Sequence, residues 1–373
     1  MLTSFEIKNF RTFKHLTIPK LGRVNLIVGK NNTGKTTLLE ALQLWGSLWP
    51  MDTIQRLLDE RDEVIPWNDR RHRFGLDSLF HNRSVGSDGP IDLTGHATSD
   101  KPETVKVHKH TGDKESSDEE PEPRLHVTSR GGRTTSMKSH ASMHPGVDSQ
   151  TLMAERADVP LRLLGRKTDG EQEEVGRWWD ALSLTDYEQR VTDAVGLVAP
   201  VTGITFVVDP RPRRQRFAKV RIRQFEDTVP LSSLGDGAVR VFHIATAIAY
   251  AAFRSRKGRD DLAESKTHHK ESAGIGPDTP LPLVLIDEFE TGVHHTLHAD
   301  LWRTVFRTAK QLDVQVFATT HSWDCLRAFQ QAAAEHESEG LVLRLEREGD
   351  ENRVVLIDEQ DMAVVARDQL EVR

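Results

Sequence analysis

Eight consecutive residues, Gly29-Lys30-Asn31-Asn32-Thr33-Gly34-Lys35-Thr36, constrain this chain more than any other stretch of it. They fit the pattern G-x-x-x-x-G-K-[ST] without a gap. The run Val24-Asn25-Leu26-Ile27-Val28 before them reads as a strand, and Leu38, Ala41, Leu42, Trp45, Leu48 and Trp49 after them form a helical stripe. Strand, glycine loop and helix in that order wrap backbone N–H groups around an anion, with the partial positive charge of the helix start behind them. Gly29, Asn31, Asn32, Thr33 and Gly34 then form the cradle. In it Lys35 reaches the β and γ phosphates of a nucleotide, Thr36 offers its hydroxyl to Mg²⁺, and Thr37 bonds the α phosphate.

A second segment fits the same site. Leu283-Val284-Leu285-Ile286-Asp287-Glu288 is an apolar strand ending in two acids, a Walker B arrangement. Adjacent acids separate two roles: Asp287 holds Mg²⁺ through water, and Glu288 orients and deprotonates the attacking water. The following stretch reads as a helix over about 296–312, then the strand Val314-Gln315-Val316-Phe317-Ala318. Near-continuous apolar strands separated by a helix mark a parallel sheet covered on both faces. Thr319-Thr320-His321-Ser322 follows. His321 sits where a histidine sensor would touch the γ phosphate, although an ordinary loop histidine fits the same letters.

The rest of the chain divides around these motifs. Residues 1–30 alternate as β structure. The segment 96–150 has little apolar content, as in Ser116-Ser117-Asp118-Glu119-Glu120-Pro121, and so reads as a mobile insertion with at most short strands around Val105 and Val127. A signature and helical part covers 171–256, with one helix expected over 175–195 and strands over 204–208 and 218–223. A polar loop covers 257–280, and the Walker B and sensor part covers 281–373, closing on a hairpin of 341–345 with 354–357.

Composition narrows the class further. The 373 residues carry 50 Lys and Arg against 57 Asp and Glu, a net charge of −7, which argues against a coat protein held to nucleic acid by bulk charge. A single cysteine, Cys325, excludes an intramolecular disulfide and a Cys-rich zinc site, and points to a reducing cytoplasm. The most apolar stretch, 245–253, is too short for a membrane span, so no membrane location is expected.

Taken in order, Asn9-Phe10-Arg11, Gly29 to Thr37, Ser233-Leu234-Gly235-Asp236-Gly237, Asp287-Glu288 with Glu290-Thr291-Gly292-Val293-His294, and Thr320-His321-Ser322 resemble the ABC-type AAA ATPases of the RecF, SMC and OLD (overcoming lysogenization defect) kind. The resemblance implies an α/β P-loop NTPase of ABC/SMC-head type. A mixed N-terminal β-sheet would accompany a parallel core sheet flanked by helices, with the polar insertion between motifs. It implies ATP hydrolysis with Mg²⁺, and a homodimer with ATP at the interface, in which Ser233, Gly235 and Gly237 of one copy meet the nucleotide on the other. Arg11 resembles a nucleotide-contacting arginine, and an exposed strand arginine fits equally. The biological setting implied is a separate effector, a nuclease or TOPRIM-like protein, in DNA repair or anti-phage defence, with DNA as a candidate partner.

The chain departs from relatives in ways that bear on function. The signature reads Ser-Leu-Gly-Asp-Gly, no Q-loop glutamine is evident, and no long coiled coil separates the motifs. The alternative, an energy-coupling subunit of a membrane transporter, fits these departures poorly. The 52 residues after His321 carry no Asp-x-Asp pair, so a nuclease domain of its own is not expected.

Three other features admit two readings each. Arg211, Arg213, Arg214, Arg216, Lys219, Arg221 and Arg223 suit a phosphate backbone or a solvated hairpin. His294 and His298 lie four apart but lack further ligands for zinc, which favours interface or helix-start roles. Trp178 and Trp179 suit core packing better than base stacking.

Overall fold

The computed structural model describes residues 1–47, 50–68, 71–83, 89–97, 102–111, 123–138, 140–142, 161–163, 169–208, 216–268, 282–336, 338–349 and 351–357. Its centre is a six-stranded sheet. The strands, in spatial order, are β11 (Leu161–Leu163), β15 (Leu283–Ile286), β16 (Gln315–Thr319), β3 (Val24–Gly29), β17 (Gly340–Glu348) and β18 (Glu351–Ile357). Every neighbouring pair is parallel except β17 with β18, which is the closing hairpin. The alternation of each strand feeds two cores. Val24, Leu26, Val284, Ile286, Val316 and Ala318 point to one face, while Ile27, Leu283, Leu285 and Phe317 point to the other.

The second face is covered by α1 (Lys35–Gly46), whose Leu38, Leu39, Leu42 and Trp45 are fully buried. Beyond α1 lies an antiparallel sheet of order β2 (Phe13–Ile18), β1 (Leu2–Phe10), β6 (Ile91–Ala97), β7 (Pro102–Thr111), β8 (Pro123–Thr128) and β9 (Thr134–Lys138). The P-loop helix is therefore held between two sheets. Gly95 allows the close approach: a Cβ there would overlap the Trp45 ring. A small sheet of β10 (His140–Ser142), β5 (Arg71–Phe74) and β4 (Val64–Asn68) and the helix α2 (Pro50–Asp59) complete this side.

These strands correct the reading of 96–150 as a mobile insertion. Val105, Val107, Leu125 and Val127 are all fully buried under the sheet, so β7 and β8 contribute to the core. Residues 98–101, 112–122, 139 and 143–150 lie outside the described residues.

The first face carries α3 (Asp169–Leu182), α4 (Asp186–Val195), α5 (Asp236–His268), α6 (His298–Leu312) and α7 (Trp323–Ala334). The single helix expected over 175–195 breaks at Leu184, which has φ 63°, and restarts at Thr185, whose hydroxyl accepts from the Tyr187 N–H at 3.3 Å. The polar stretch 257–268 continues α5 rather than forming a loop, and 269–281 lies outside the described residues. Trp178 stacks on Tyr250 and Trp179 packs on Phe242, which makes both tryptophans core residues. Antiparallel strands β12 (Val201–Val208), β13 (Arg216–Ile222) and β14 (Val229–Pro230) lead into the signature segment.

Candidate functional site

Three strand ends of the central sheet meet at the site. β3 delivers the phosphate loop, β15 the two acids, and β16 the Thr319-Thr320-His321 stretch. Parallel strands place their carboxyl ends on one edge, where ligands of open α/β sheets bind.

The loop geometry needs its glycines. Gly29 has φ 145° and Gly34 has φ 97°, and a Cβ at Gly34 would sit 2.6 Å from the Phe13 ring. Gly34 caps α1 without any side-chain cap, and the first turn holds no acid. The first N–H groups of an α-helix have no intrahelical acceptor, so those of α1 face the cradle. Thr33 braces the loop by donating to Lys30 O at 2.9 Å, while Asn31 and Asn32 are exposed and Thr37 is buried. Lys35 is buried, and its Nζ donates to Gly29 O at 2.8 Å and Lys30 O at 2.9 Å. Burial pushes the Lys35 ammonium below its ordinary range, against the pull of Asp287, Glu290 and Glu288. A lysine held only by loop carbonyls exchanges them readily for phosphate oxygens.

The acids are positioned from below. Asp287 accepts from Thr36 Oγ1 at 3.1 Å and from Thr319 Oγ1 at 2.6 Å. Thr319 in turn accepts the Glu288 N–H at 2.8 Å. Glu288 has φ 49° and an exposed side chain, which accepts from Thr291 Oγ1 at 3.2 Å. Hard oxygen donors from Thr36 and Asp287 converge beside an uncapped helix start, a donor set that suits Mg²⁺ next to a phosphate. His321 is exposed on the neighbouring loop, with its N–H donated to Glu290 Oε1 at 2.8 Å.

The signature segment stands apart from this cluster. Residues 231–234 form a short 3-10 turn, Gly235 has φ 91°, and α5 starts at Asp236. Ser233 is exposed, and among the described residues no hydrogen bond joins it to Lys35, Thr36, Asp287 or Glu288 of the same chain. Gly237 and Gly292 face each other closely: a Cβ on Gly237 would lie 3.4 Å from Gly292 O. The signature helix thus packs on the turn that follows the Walker B acids.

Arg11 is corrected. It is neither exposed nor directed at the cradle: its Nε lies 2.9 Å from Glu40 Oε2, its Nη1 3.0 Å from Glu63 Oε2, and its side chain is buried. Glu40, on α1, also pairs with Arg61 at 2.8 Å. A buried carboxylate needs such partners, so Arg11 is tied into the support of the P-loop helix.

The weaker features resolve unevenly. Arg211, Arg213 and Arg214 lie outside the described residues, Arg216 pairs with Asp180 at 2.7 Å, and Lys219 and Arg221 lie on β13. His298 is buried with Nε2 on Val293 O at 3.1 Å, and among the described residues no group of three or more His, Cys, Asp or Glu side chains is placed to hold a metal ion. Among them, too, no helix is long and apolar enough to cross a membrane. Sequence reading gave no role to three residues of the site: Thr319 between the acids and Glu290 under His321, both inside quoted motifs, and Arg240, whose guanidinium donates to Asp287 O and Glu288 O. Thr319 had a local signal in its place at the end of a strand and Glu290 in its place two residues after the Walker B acids, whereas Arg240 had none.

A family model described as AAA ATPase domain matches residues 1–48. The AAA domain model whose description adds AbiEii toxin, Type IV TA system matches residues 68–324, more than half of the chain. An uncharacterized protein of Methanocaldococcus jannaschii is 47% identical over 84 residues, which is 22% of this chain and 37% of that protein. An OLD nuclease of Thermus scotoductus is 45% identical over 51 residues, 13% of this chain and 10% of the nuclease. The matches therefore span well under half the length of these curated relatives. A crystal structure of an SMC head bound to the C-winged helix domain of ScpA aligns over 96% of this chain and 98% of its own, with TM-score 0.49 and 11% identity.

Proposed function

The chain belongs to the AAA domain family and is an ATPase of the RecF, SMC and OLD kind, and from that premise we propose that ATP closes two copies of it face to face to control a separate effector. The observation that carries this is the exposed Ser233 turn at the start of α5, which contributes nothing to the phosphate site of its own chain. A serine hydroxyl and bare glycine N–H groups at a helix start suit a γ phosphate, and a second copy supplies one.

In this reading Lys35 leaves Gly29 O and Lys30 O for the β and γ oxygens, and the N–H groups at the start of α1 hold the β phosphate. Asp287 and Thr36 would hold Mg²⁺, which would supply charge neutralisation at the phosphates. Glu288 accepts the proton of the attacking water as its oxygen bonds to the γ phosphorus and the bridging oxygen departs with ADP. The main-chain anchor on Thr319 aims Glu288 outward, toward the partner's Ser233. His321 meets the γ phosphate from the neighbouring loop. The effector this reading favours is a nuclease in DNA repair or anti-phage defence, suggested by the OLD nuclease among the relatives.

The test is molar mass by light scattering with Mg-ATP. Glu288→Gln keeps size and hydrogen bonding but not the base, so a dimer accumulates, whereas Ser233→Arg binds ATP and stays a monomer. A Glu288→Gln protein without ATP-dependent mass, or a Ser233→Arg protein that hydrolyses ATP at the parent rate, sinks the proposal.

A further inference from the structure

His321 reaches the site on a loop held through its main-chain N–H groups. Thr320 N–H donates to Ile27 O at 3.2 Å, and Ser322 N–H donates to Thr320 Oγ1 at 3.0 Å. The third anchor is a side chain from another element: Glu290 Oε1 accepts the His321 N–H at 2.8 Å. The imidazole is exposed, so its direction follows from how these anchors hold the backbone.

Glu290 is itself rigidly placed. It follows Phe289, whose ring stacks on Trp302 with centroids 3.6 Å apart and planes 7° apart. The Phe289 N–H donates to Thr319 O at 2.9 Å, which ties the Walker B turn to the strand that leads to His321. Glu290 Oε2 is buried and has no hydrogen-bond partner among the described residues. A carboxylate oxygen buried without a hydrogen-bond donor is costly, and half-buried Glu290 adds to the negative field that holds the charge of Lys35.

We propose that Glu290 is a positioning residue for hydrolysis: it fixes the His321 main chain against the Walker B turn so that the imidazole meets the γ phosphate. This rests on the reading of His321 as a γ-phosphate contact. A carboxylate acceptor makes a shorter and stronger bond than a neutral one. Placing the anchor two residues beyond Glu288 keeps base and sensor in one rigid unit.

The experiment is a double-mutant cycle on kcat for ATP, with affinity for a fluorescent ATP analogue and the melting midpoint as controls. Glu290→Ala and His321→Ala should each lower kcat on the order of 10- to 100-fold with nucleotide affinity nearly unchanged, as expected for a misplaced contact. The double variant should fall no more than about twofold below His321→Ala, because two residues acting through one contact are not additive. Glu290→Gln, whose amide oxygen still accepts from His321, should stay within about threefold of the parent. Glu290→Ser, too short to reach His321, serves if the alanine variant does not fold. Losses that multiply in the double variant overturn the proposal, as does a Glu290→Gln loss as deep as that of His321→Ala. Full activity in Glu290→Ala alongside a slow His321→Ala overturns it while the His321 reading stands. Full activity in His321→Ala removes that reading and this proposal together.

Discussion

Arg240 grips the main chain of Asp287. Its Nη2 donates to Asp287 O at 2.8 Å and to Glu288 O at 3.2 Å, and the arginine is buried. Arg240 lies in the second turn of α5, whose start carries the signature segment, so one helix bears on the acids of its own chain and presents Ser233 outward. Arg240→Met leaves two part-buried carbonyls without their charged donor, at a cost of about 1 kcal/mol or more. Urea denaturation should show the loss, and kcat should drop with it. An unchanged denaturation midpoint would mean that the contact is not formed in solution.

Thr319 bridges the two acids, donating to Asp287 and accepting from the Glu288 N–H. Groups that orient a metal's ligands tune its affinity by about 10- to 100-fold. Thr319→Val should therefore raise the Mg²⁺ needed for half-maximal ATPase by that factor, and Thr319→Ser should restore it. A magnesium titration of the three proteins decides the matter; equal half-saturation in all of them removes Thr319 from the metal site.

The phosphate loop and the acidic strand end were legible because each is a local pattern whose neighbours in sequence are its neighbours in space. The near-continuous apolar runs of β15 and β16 announced a buried parallel sheet for the same reason. What sequence reading missed depends on partners far along the chain. Arg11 looks free in sequence, yet Glu40 and Glu63 enclose it. Arg240 and Glu290 acquire meaning only through the strand ends they touch. The strands β7 and β8 bury only every second side chain, so Val105, Val107, Leu125 and Val127 are diluted by charged outward neighbours, and the average composition of 96–150 concealed a sheet. Cys325 is buried, and burial pushes its thiol up to about 12.

His298 should make the fold acid-sensitive. Burial lowers its pKa from the ordinary 6.5, outweighing the opposing Val293 carbonyl, Glu290 and Asp324, with His295 adding to the depression. As pH falls through about 6.5 the unfolded chain takes up the proton first, so stability drops until the folded pKa is passed. His298→Gln keeps a donor for Val293 O without titrating. Between about pH 7.5 and 5.5 the parent's urea midpoint should fall more than that of the variant, the difference being the linkage carried by this one group. Parallel curves would show that His298 does not contribute.

The sheet that covers α1 makes the sharpest prediction against the composition of its sequence. Trp45 donates its Nε1 proton to Glu103 O at 2.9 Å, and the Arg130 guanidinium lies 4.9 Å from the Trp45 ring centroid, so β7 and the turn after β8 clasp the far end of the P-loop helix. Leu125 on β8 is fully buried in the same cluster. Leu125→Ala should cost about 2–5 kcal/mol, the range for emptying a core position of this size. The exposed neighbour Arg124 points away from that core, and Arg124→Ala should change stability by less than about 0.5 kcal/mol. Because α1 carries Lys35 and Thr36 at its other end, the Leu125→Ala protein should also bind ATP more weakly in proportion to its unfolded fraction, and saturating Mg-ATP should recover part of the lost midpoint by mass action. Equal midpoints for Leu125→Ala and Arg124→Ala would return this segment to the solvated insertion that its composition suggests.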